Sequence, residues 1–177
     1  MARNGYMVVE TTALHGSVCF SLQATKDIEN GAIVGKGDLV TGETSVYTAL
    51  DDYADGMYLV ANPAWNYEVY KATDKNEENY INKAGVAFRA YRLEKDMKYK
   101  VSGIETTFAV GDEVKYDPTT KTYIAGTDTG LKVVAVEEVG FPYCIGSIGV
   151  QVVGDTGNEY GYATGAKTVK YTIEVMK

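Results

Sequence analysis

The chain has 177 residues and a mass of 19.2 kDa, with 45% hydrophobic and 23% charged residues, fractions that exclude disorder as a description of the whole chain. This length fits one domain, which we expect over 1–177, or two small β subdomains that meet near 72–85, and it can bury a core without a disulfide or a metal ion. The formal net charge of −7 is unfavourable for binding to nucleic acid, whose phosphates require a positive field.

The dominant local pattern is that of β-strands. Many valines and threonines accompany 15 tyrosines and 19 glycines, and helical periodicity is nearly absent. We therefore expect an all-β fold, a sandwich or barrel of short antiparallel strands. The predicted strands, in chain order, are Tyr6–Thr12, Ser17–Ala24, Ala32–Val34, Asp38–Val40, Val46–Ala49, Met57–Ala61, Glu68–Lys71, Ala87–Leu93, Lys98–Ile104, Glu113–Tyr116, Thr122–Ile124, Leu131–Glu137, Cys144–Val153 and Lys167–Val175.

Turn residues separate these strands. Asn30-Gly31 can supply the positive φ values of a tight hairpin turn, and Gly35-Lys36-Gly37-Asp38 is interpreted as a second hairpin turn. Asp117-Pro118 predicts a turn before Thr122, because proline presets φ and the aspartate can bond the backbone ahead of it. The last strand alternates, so its apolar side chains are expected to face the core: Val169, Tyr171, Ile173 and Val175.

Two polar segments interrupt the strand pattern. Asp74–Ala84 has too few apolar residues for a core helix, and we expect a loop or one short exposed turn. Gly154–Gly165 holds four glycines and is expected to be a loop that can order against a partner. No apolar run is long enough for a helix that spans a bilayer, and 1–6 lacks the apolar region of a signal peptide. We expect no membrane contact and no classical secretion.

The charge is unevenly distributed. Residues 71–100 carry eight basic and five acidic residues, whereas the remainder carries nine basic and nineteen acidic residues. The basic residues of this segment are Lys71, Lys75, Lys83, Arg89, Arg92, Lys95, Lys98 and Lys100. They form either an ordinary solvated face or a docking surface for an acidic protein partner. For docking we single out Arg92, Lys95 and Lys98.

No pattern in the sequence identifies a reactive centre. His15 is the single histidine, lies in a turn-like context, and has no evident metal-ligand or nucleophile partners. Three acidic doublets, Asp51-Asp52, Glu77-Glu78 and Glu137-Glu138, are expected on the surface, because adjacent strand residues point to opposite faces. Gly161–Thr168 lacks the adjacent glycine and lysine of a phosphate-binding loop. We expect no catalytic residue, no cofactor and no metal ion, and an enzyme that uses two facing carboxylates is the remaining enzymatic alternative.

Cysteines and aromatic residues leave alternatives open. Cys19 and Cys144 are expected to be reduced and buried rather than paired. Trp65, with nearby Tyr67, Tyr70 and Tyr80, lies close to the basic segment. These rings either pack across strands inside a sheet or form exposed contacts with a protein or a sugar, and Trp65 is our candidate aromatic anchor.

Two stretches resemble a known family. Glu29–Val40, followed by Thr44–Ala49, is one; Phe108–Asp117, followed by Thr122-Tyr123 and Cys144–Gly149, is the other. Both are similar to the capsid decoration, or cement, proteins of tailed bacteriophages. The resemblance implies a non-enzymatic virion protein, made in the host cytoplasm, that binds the outer capsid surface and clamps neighbouring major capsid proteins, commonly as a dimer or trimer.

The N-terminal segment suggests how such attachment could occur. Ala2–Thr12 is apolar at Tyr6, Met7, Val8 and Val9, and it could add a strand to the sheet edge of a neighbouring protein. The richness in tyrosine motivates an alternative function, a carbohydrate- or receptor-binding β module of a phage head fibre or tail accessory protein.

Overall fold

A computed structural model describes residues 6–11, 14, 17–64, 77, 80–139, 142–143, 163–164 and 168–177. This part of the chain is all-β and contains no α-helix, which confirms the predicted fold class. The strands are β1 (Val8–Glu10), β2 (Cys19–Gln23), β3 (Ile33–Leu39), β4 (Val46–Leu50), β5 (Tyr58–Val60), β6 (Ala87–Arg92), β7 (Lys98–Ser102), β8 (Val114–Asp117), β9 (Thr122–Ala125), β10 (Leu131–Val139), β11 (Pro142–Tyr143), β12 (Ala163–Thr164) and β13 (Thr168–Val175).

Five strands close into a barrel in the order β2-β4-β3-β5-β6, and β6 pairs again with β2. The pairing of β2 with β4 is parallel, whereas the other pairs are antiparallel. Buried apolar side chains fill the interior, among them Leu22, Val34, Phe88 and Ala90. The barrel is therefore a packed core rather than a channel.

Beside the barrel lies a four-stranded antiparallel sheet in the order β1-β7-β13-β10. Along β13 the side chains of Tyr171, Ile173 and Val175 are buried and Val169 is half-buried, as the alternation predicts. β8 and β9 form a separate hairpin. At its turn the Asp117 carboxylate accepts hydrogen bonds from the Thr119 amide and the Thr120 hydroxyl, which confirms the predicted turn.

One predicted turn is wrong. Residues 32–34 and 38–40 were expected as two strands joined at 35–38, but β3 runs without interruption through that segment. Its register against β4 shifts between Lys36 and Leu39, as at a β-bulge. A Cβ atom on Gly35 would overlap the carbonyl oxygen of Asp52, and one on Gly37 would overlap the Thr48 hydroxyl. The two glycines thus allow close approach of neighbouring chain segments instead of a reversal of direction.

Several predicted elements lie wholly or partly outside the described residues. The strands 68–71 and 144–153 are wholly outside, and β12 falls within the predicted loop 154–165. In the predicted turn 74–84, the Tyr80 amide donates to the Glu77 carbonyl at 3.1 Å. β5 and β6, which flank the possible boundary near 72–85, pair with each other in the barrel, and the one-domain organisation stays a prediction.

A hydrogen-bonded junction connects the barrel, the sheet and the hairpin. Gly31 has a φ of +85° in the turn predicted at Asn30-Gly31, which leads into β3 rather than closing a hairpin. The Tyr123 hydroxyl of β9 donates to the Gly31 carbonyl at 2.7 Å. Because its proton is used there, the Tyr99 hydroxyl of β7 donates to Tyr123 at 3.2 Å. Both tyrosines are fully buried, so every hydroxyl of this junction has a partner.

Met7 completes the junction from the N-terminal side. Its side chain is 0% exposed and belongs to the same hydrophobic cluster as Ile33 of the barrel and Val101 of the sheet. Its amide donates to the buried Glu29 carboxylate at 2.9 Å. The N-terminal segment is therefore held by its own chain before any partner binds.

Replacing Met7 by alanine is expected to lower the free energy of unfolding by about 2–5 kcal/mol, because the truncation leaves a cavity where barrel and sheet meet. Urea denaturation measures the change. Met176→Ala is the matched control: Met176 is 45% exposed, and its truncation should cost less than about 0.5 kcal/mol. Equal effects of the two substitutions would contradict the docking of the N-terminal segment.

Stability should fall at alkaline pH. Burial raises the pKa of both Tyr99 and Tyr123 above the ordinary value, so the folded chain keeps protons that the unfolded chain loses above about pH 10. The free energy of unfolding then declines by about 1.4 kcal/mol per pH unit for each of these tyrosines. Denaturation at several pH values checks this, and Tyr123→Phe should reduce the slope. An unchanged slope in that variant would argue against buried, protonated tyrosines.

Candidate functional site

One end of the barrel carries aromatic, basic and aliphatic side chains together, and we call this cluster the barrel mouth. Its members are Val18, Phe20, Lys36, Leu39, Tyr47, Tyr58 and Arg92. Leu22, buried inside the barrel, lies opposite Tyr47 in the parallel pair of β2 and β4. Phe20 precedes Leu22 by two residues and therefore shares its face. Both rings thus extend the interior toward the open end.

The antiparallel strands bring the other members to the same end. Tyr58 of β5 lies opposite Val34 of β3 and opposite Arg92 of β6. Val34 is buried in the barrel, and Lys36 follows it by two residues on the same face of β3. At the end of β3, Leu39 lies opposite Tyr47.

Lys36 lies over two aromatic rings. Its Nζ atom is 3.8 Å from the centre of the Tyr47 ring and 5.5 Å from that of Phe20. Phe20 contacts Tyr47 and Tyr58 edge to face, with interplanar angles of 79° and 81°. A cation over an aromatic face is held by the ring quadrupole, by about 0.5–2 kcal/mol, which orients the ammonium without neutralising it.

The rim of the mouth combines apolar surface with a second cation. Val18 is 53% exposed and Leu39 is 47% exposed. The Arg92 amide donates to the Val18 carbonyl at 3.0 Å, and the Ser17 hydroxyl donates to the Arg92 carbonyl at 2.6 Å. These bonds fix the backbone of the rim. Arg92 itself is exposed.

Most of the lysines in the described ranges have a different environment. The ion pairs are Lys26–Asp51, Lys83–Asp27, Lys98–Glu174, Lys100–Glu137, Lys170–Glu10 and Lys177–Asp128. The Glu137 carboxylate accepts hydrogen bonds from Lys100 and thereby raises the pKa of that ammonium above its usual value. Among the described residues, neither Lys36 nor Arg92 has a carboxylate within ion-pair distance, although Asp38 and Glu94 follow closely in their own strands or turns.

The three cations singled out from the sequence lie close together along the chain but differ in environment. Arg92 ends β6, and Lys95 is exposed in the turn that leads to β7. Lys98 begins β7 and lies 3.3 Å from the Glu174 carboxylate. Arg92 and Lys95 have no ion-pair partner in the described part of the chain, whereas Lys98 does.

The N-terminal residues singled out from the sequence belong to the chain's own sheet. Tyr6 is half-buried, Met7 is buried, and Val8 and Val9 lie half-buried in β1. β1 pairs with β7 on one side and is the terminal strand of the sheet order. Its outer edge is the position from which a strand of another protein could extend the sheet.

Trp65 lies outside the described residues, as do His15 and Cys144. The expectation that Trp65 is an aromatic anchor therefore stays a prediction. Cys19 is on β2 and exposed, which corrects the expectation of a buried thiol: it lies one residue out of phase with Phe20 and Leu22 and so faces outward.

A buried polar network lies behind β1. Asn30 exchanges hydrogen bonds of 2.9 and 3.0 Å with the backbone of Asn62, and Asn82 donates to Asn30 at 3.1 Å. Tyr80 accepts a hydrogen bond from Asn62 at 2.6 Å. The amides satisfy one another, which indicates a structural role, and a groove of about 200 Å³ separates them from β1.

A larger groove of about 500 Å³ lies between the barrel and the β8–β9 hairpin. Tyr53 lines this groove and donates its hydroxyl proton to the Tyr116 carbonyl at 2.8 Å. Burial raises the pKa of Tyr53, and the nearby charges of Asp117 and Asp52 add to the effect. The wall carboxylates, including Asp51, already accept hydrogen bonds from neighbouring groups.

Sequence reasoning missed Lys36, Phe20 and Tyr47 as a group. Alternation along β2 places Phe20 on the same face as Leu22. The sequence predicts a turn at Lys36, however, and strand alternation cannot indicate which way a turn residue points. Because β3 is predicted as two strands, the sequence does not indicate that the Lys36 ammonium lies over the aromatic rings.

Within the described ranges, no three His, Cys, Asp or Glu side chains converge to hold a metal ion. In the same part of the chain, no helix is long and apolar enough to cross a membrane. Comparison of the chain with protein-family models, with curated proteins and with solved structures finds no match.

Proposed function

We propose that this chain is a structural virion protein that binds the outer surface of a bacteriophage capsid and stabilises contacts between major capsid proteins. The proposal rests on the resemblance of Glu29–Val40 and Phe108–Asp117 to capsid decoration proteins. The observation that carries it furthest is the pair of exposed cations without an ion-pair partner in the described residues, Arg92 at the apolar rim of the barrel mouth and Lys95 in the turn that follows β6. The chain acts by binding rather than by catalysis.

The charge distribution supports docking to a protein. In a chain of net charge −7, several described lysines pair with carboxylates, whereas the exposed Arg92 and Lys95 have no ion-pair partner among the described residues. Arg92 lies beside the exposed Val18 at the rim of the mouth, and a cation next to apolar surface combines electrostatic orientation with apolar burial, as protein interfaces do. Many copies on one shell would allow a modest affinity per site to suffice.

The remaining parts of the proposal follow from the resemblance. The chain is made in the host cytoplasm, resides on the capsid surface of the virion, and associates with itself as a dimer or trimer. Neither nucleic acid nor a membrane is a partner. The outer edge of β1 is the proposed site of strand addition to a neighbour.

A carbohydrate- or receptor-binding module is the alternative function. It is favoured by the groove of about 500 Å³, where Tyr53 lies among Asp51, Asp52 and Asp117. Carboxylates beside an aromatic ring are suited to the hydroxyl groups and apolar faces of sugars. Selective sugar binding on a glycan array, lost in Tyr53→Ala, would favour this function over the capsid role.

Co-sedimentation with shells assembled from the cognate major capsid protein tests the proposal. The wild-type chain should sediment with the shells at a saturable ratio. Arg92→Glu together with Lys95→Glu should weaken shell affinity by at least about tenfold, because like charges then face the acidic partner.

Lys115→Glu with Lys132→Glu is the matched control, since it changes the net charge equally at cations that have no ion pair in the described residues and lie away from β6. It should leave shell affinity within about twofold of wild type. Failure of the wild-type chain to sediment with shells would overturn the proposed function. Equal losses in the two double variants would show that only overall charge matters.

A further inference from the structure

We propose that the barrel mouth binds a carboxylate side chain flanked by aliphatic residues, presented by an acidic segment of a partner protein. The inference deepens the proposed function and rests on it for the identity of the partner, a major capsid protein. It also names residues that no sequence pattern indicated: Lys36, Phe20 and Tyr47.

The first argument is the environment of the Lys36 ammonium. Its Nζ atom lies on the Tyr47 ring at 3.8 Å, so one side of the cation is covered by an aromatic face. Among the described residues no carboxylate and no hydrogen-bond acceptor is paired with it. An ammonium has three donors, and a ring face satisfies none of them as a carboxylate would. The uncovered side of Lys36 is therefore suited to a carboxylate oxygen.

The second argument is the arrangement of charge and apolar surface around it. Tyr58 lies opposite Arg92 in the register and contacts Phe20, which contacts Tyr47 in turn, so both cations border one aromatic cluster. Lys36 would pair with a ligand carboxylate at the aromatic cluster, and the Arg92 guanidinium at the rim adds a second positive charge that attracts the same acidic segment.

Val18 and Leu39 determine what accompanies the carboxylate. They are 53% and 47% exposed, and both lie at strand ends that border the mouth. Aliphatic neighbours of the bound acid would cover them and exclude water from the ion pair. Partial exclusion of water strengthens a charge-assisted hydrogen bond, which explains why apolar and basic groups are useful together here.

The occupant is an acidic segment of another protein rather than a second copy of this chain. The net charge of −7 disfavours bringing acidic residues of a second copy to the mouth, so the proposed dimer or trimer would form through other surfaces. Self-association through the mouth is a distinct outcome of the experiment below.

Nuclear magnetic resonance titration of the full chain with a short capped peptide of alternating leucine and glutamate tests the inference. Amides near Phe20, Lys36 and Tyr47 should shift saturably, and the shifts should weaken as salt is added. The same peptide with glutamine in place of glutamate should bind at least about tenfold more weakly, because its neutral amide forms no charge-assisted hydrogen bond.

Variants assign the effect to the mouth. Lys36→Gln should lower the affinity for the acidic peptide by about tenfold. Arg92→Gln should lower it by about threefold, since Arg92 is the more exposed cation. Lys36→Arg keeps the charge and the aromatic contact and should retain binding. Lys132→Gln, on the distant strand β10, should leave the affinity unchanged. Should Lys36→Gln fail to fold, Arg92→Gln carries the test.

Several results would overturn the inference: equal binding of the glutamine peptide, shifts confined to other surfaces, unchanged affinity in Lys36→Gln, or mouth shifts that follow the concentration of the chain itself. The last would identify a second copy as the occupant. If Lys36→Gln sediments with shells as wild type does, the mouth is not the docking site although the capsid function stands. If the mouth binds the acidic peptide but the wild-type chain does not sediment with shells, the capsid function is wrong and the mouth remains a site that binds acidic peptides.

Discussion

The turn at Gly31 is the point on which the rest of the structure depends. The Gly31 carbonyl accepts a hydrogen bond from the Tyr123 hydroxyl, and the Tyr123 hydroxyl accepts one from the Tyr99 hydroxyl. One chain of hydrogen bonds therefore joins the barrel, the hairpin and the sheet. A Cβ atom on Gly31 would contact Val101 and Met7 at ordinary distances, but its φ of +85° is one that residues with a side chain rarely adopt, so glycine is favoured here. Buried hydroxyls carry a large penalty when unpaired, so these three elements are fixed relative to one another.

Fixing these elements also fixes the N-terminal strand. Met7 lies in the junction, and its amide bonds to the buried Glu29 carboxylate. β1 is consequently the last strand of an ordered sheet, with its register set by the chain itself. A partner that extends this edge meets a preorganised strand, which lowers the entropy lost on binding.

Charge pairing gives the surface its specificity. Acidic residues outnumber basic ones, and the described ion pairs place carboxylates beside lysines such as Lys26, Lys100 and Lys170. Exposed pairs of this kind contribute little to stability, but they neutralise local fields. Lys36 and Arg92 are among the described cations outside this pattern: the Lys36 ammonium lies over the Tyr47 and Phe20 rings, and Arg92 lies at the rim beside Val18. The proposed docking surface is thus defined by charge left uncompensated.

The sequence by itself determined the all-β class, most strand positions, the Asp117 turn and the buried face of β13, because alternation and turn chemistry are local properties. The local excess of charge also singled out Arg92, Lys95 and Lys98, whose role in docking stays a prediction. Only the tertiary structure decided three features: closure of the barrel, the course of β3 through Gly35 and Gly37, and the position of Lys36 on Tyr47. Each of these depends on which strands become neighbours, and pairing between residues distant in the chain leaves no periodic signal along it.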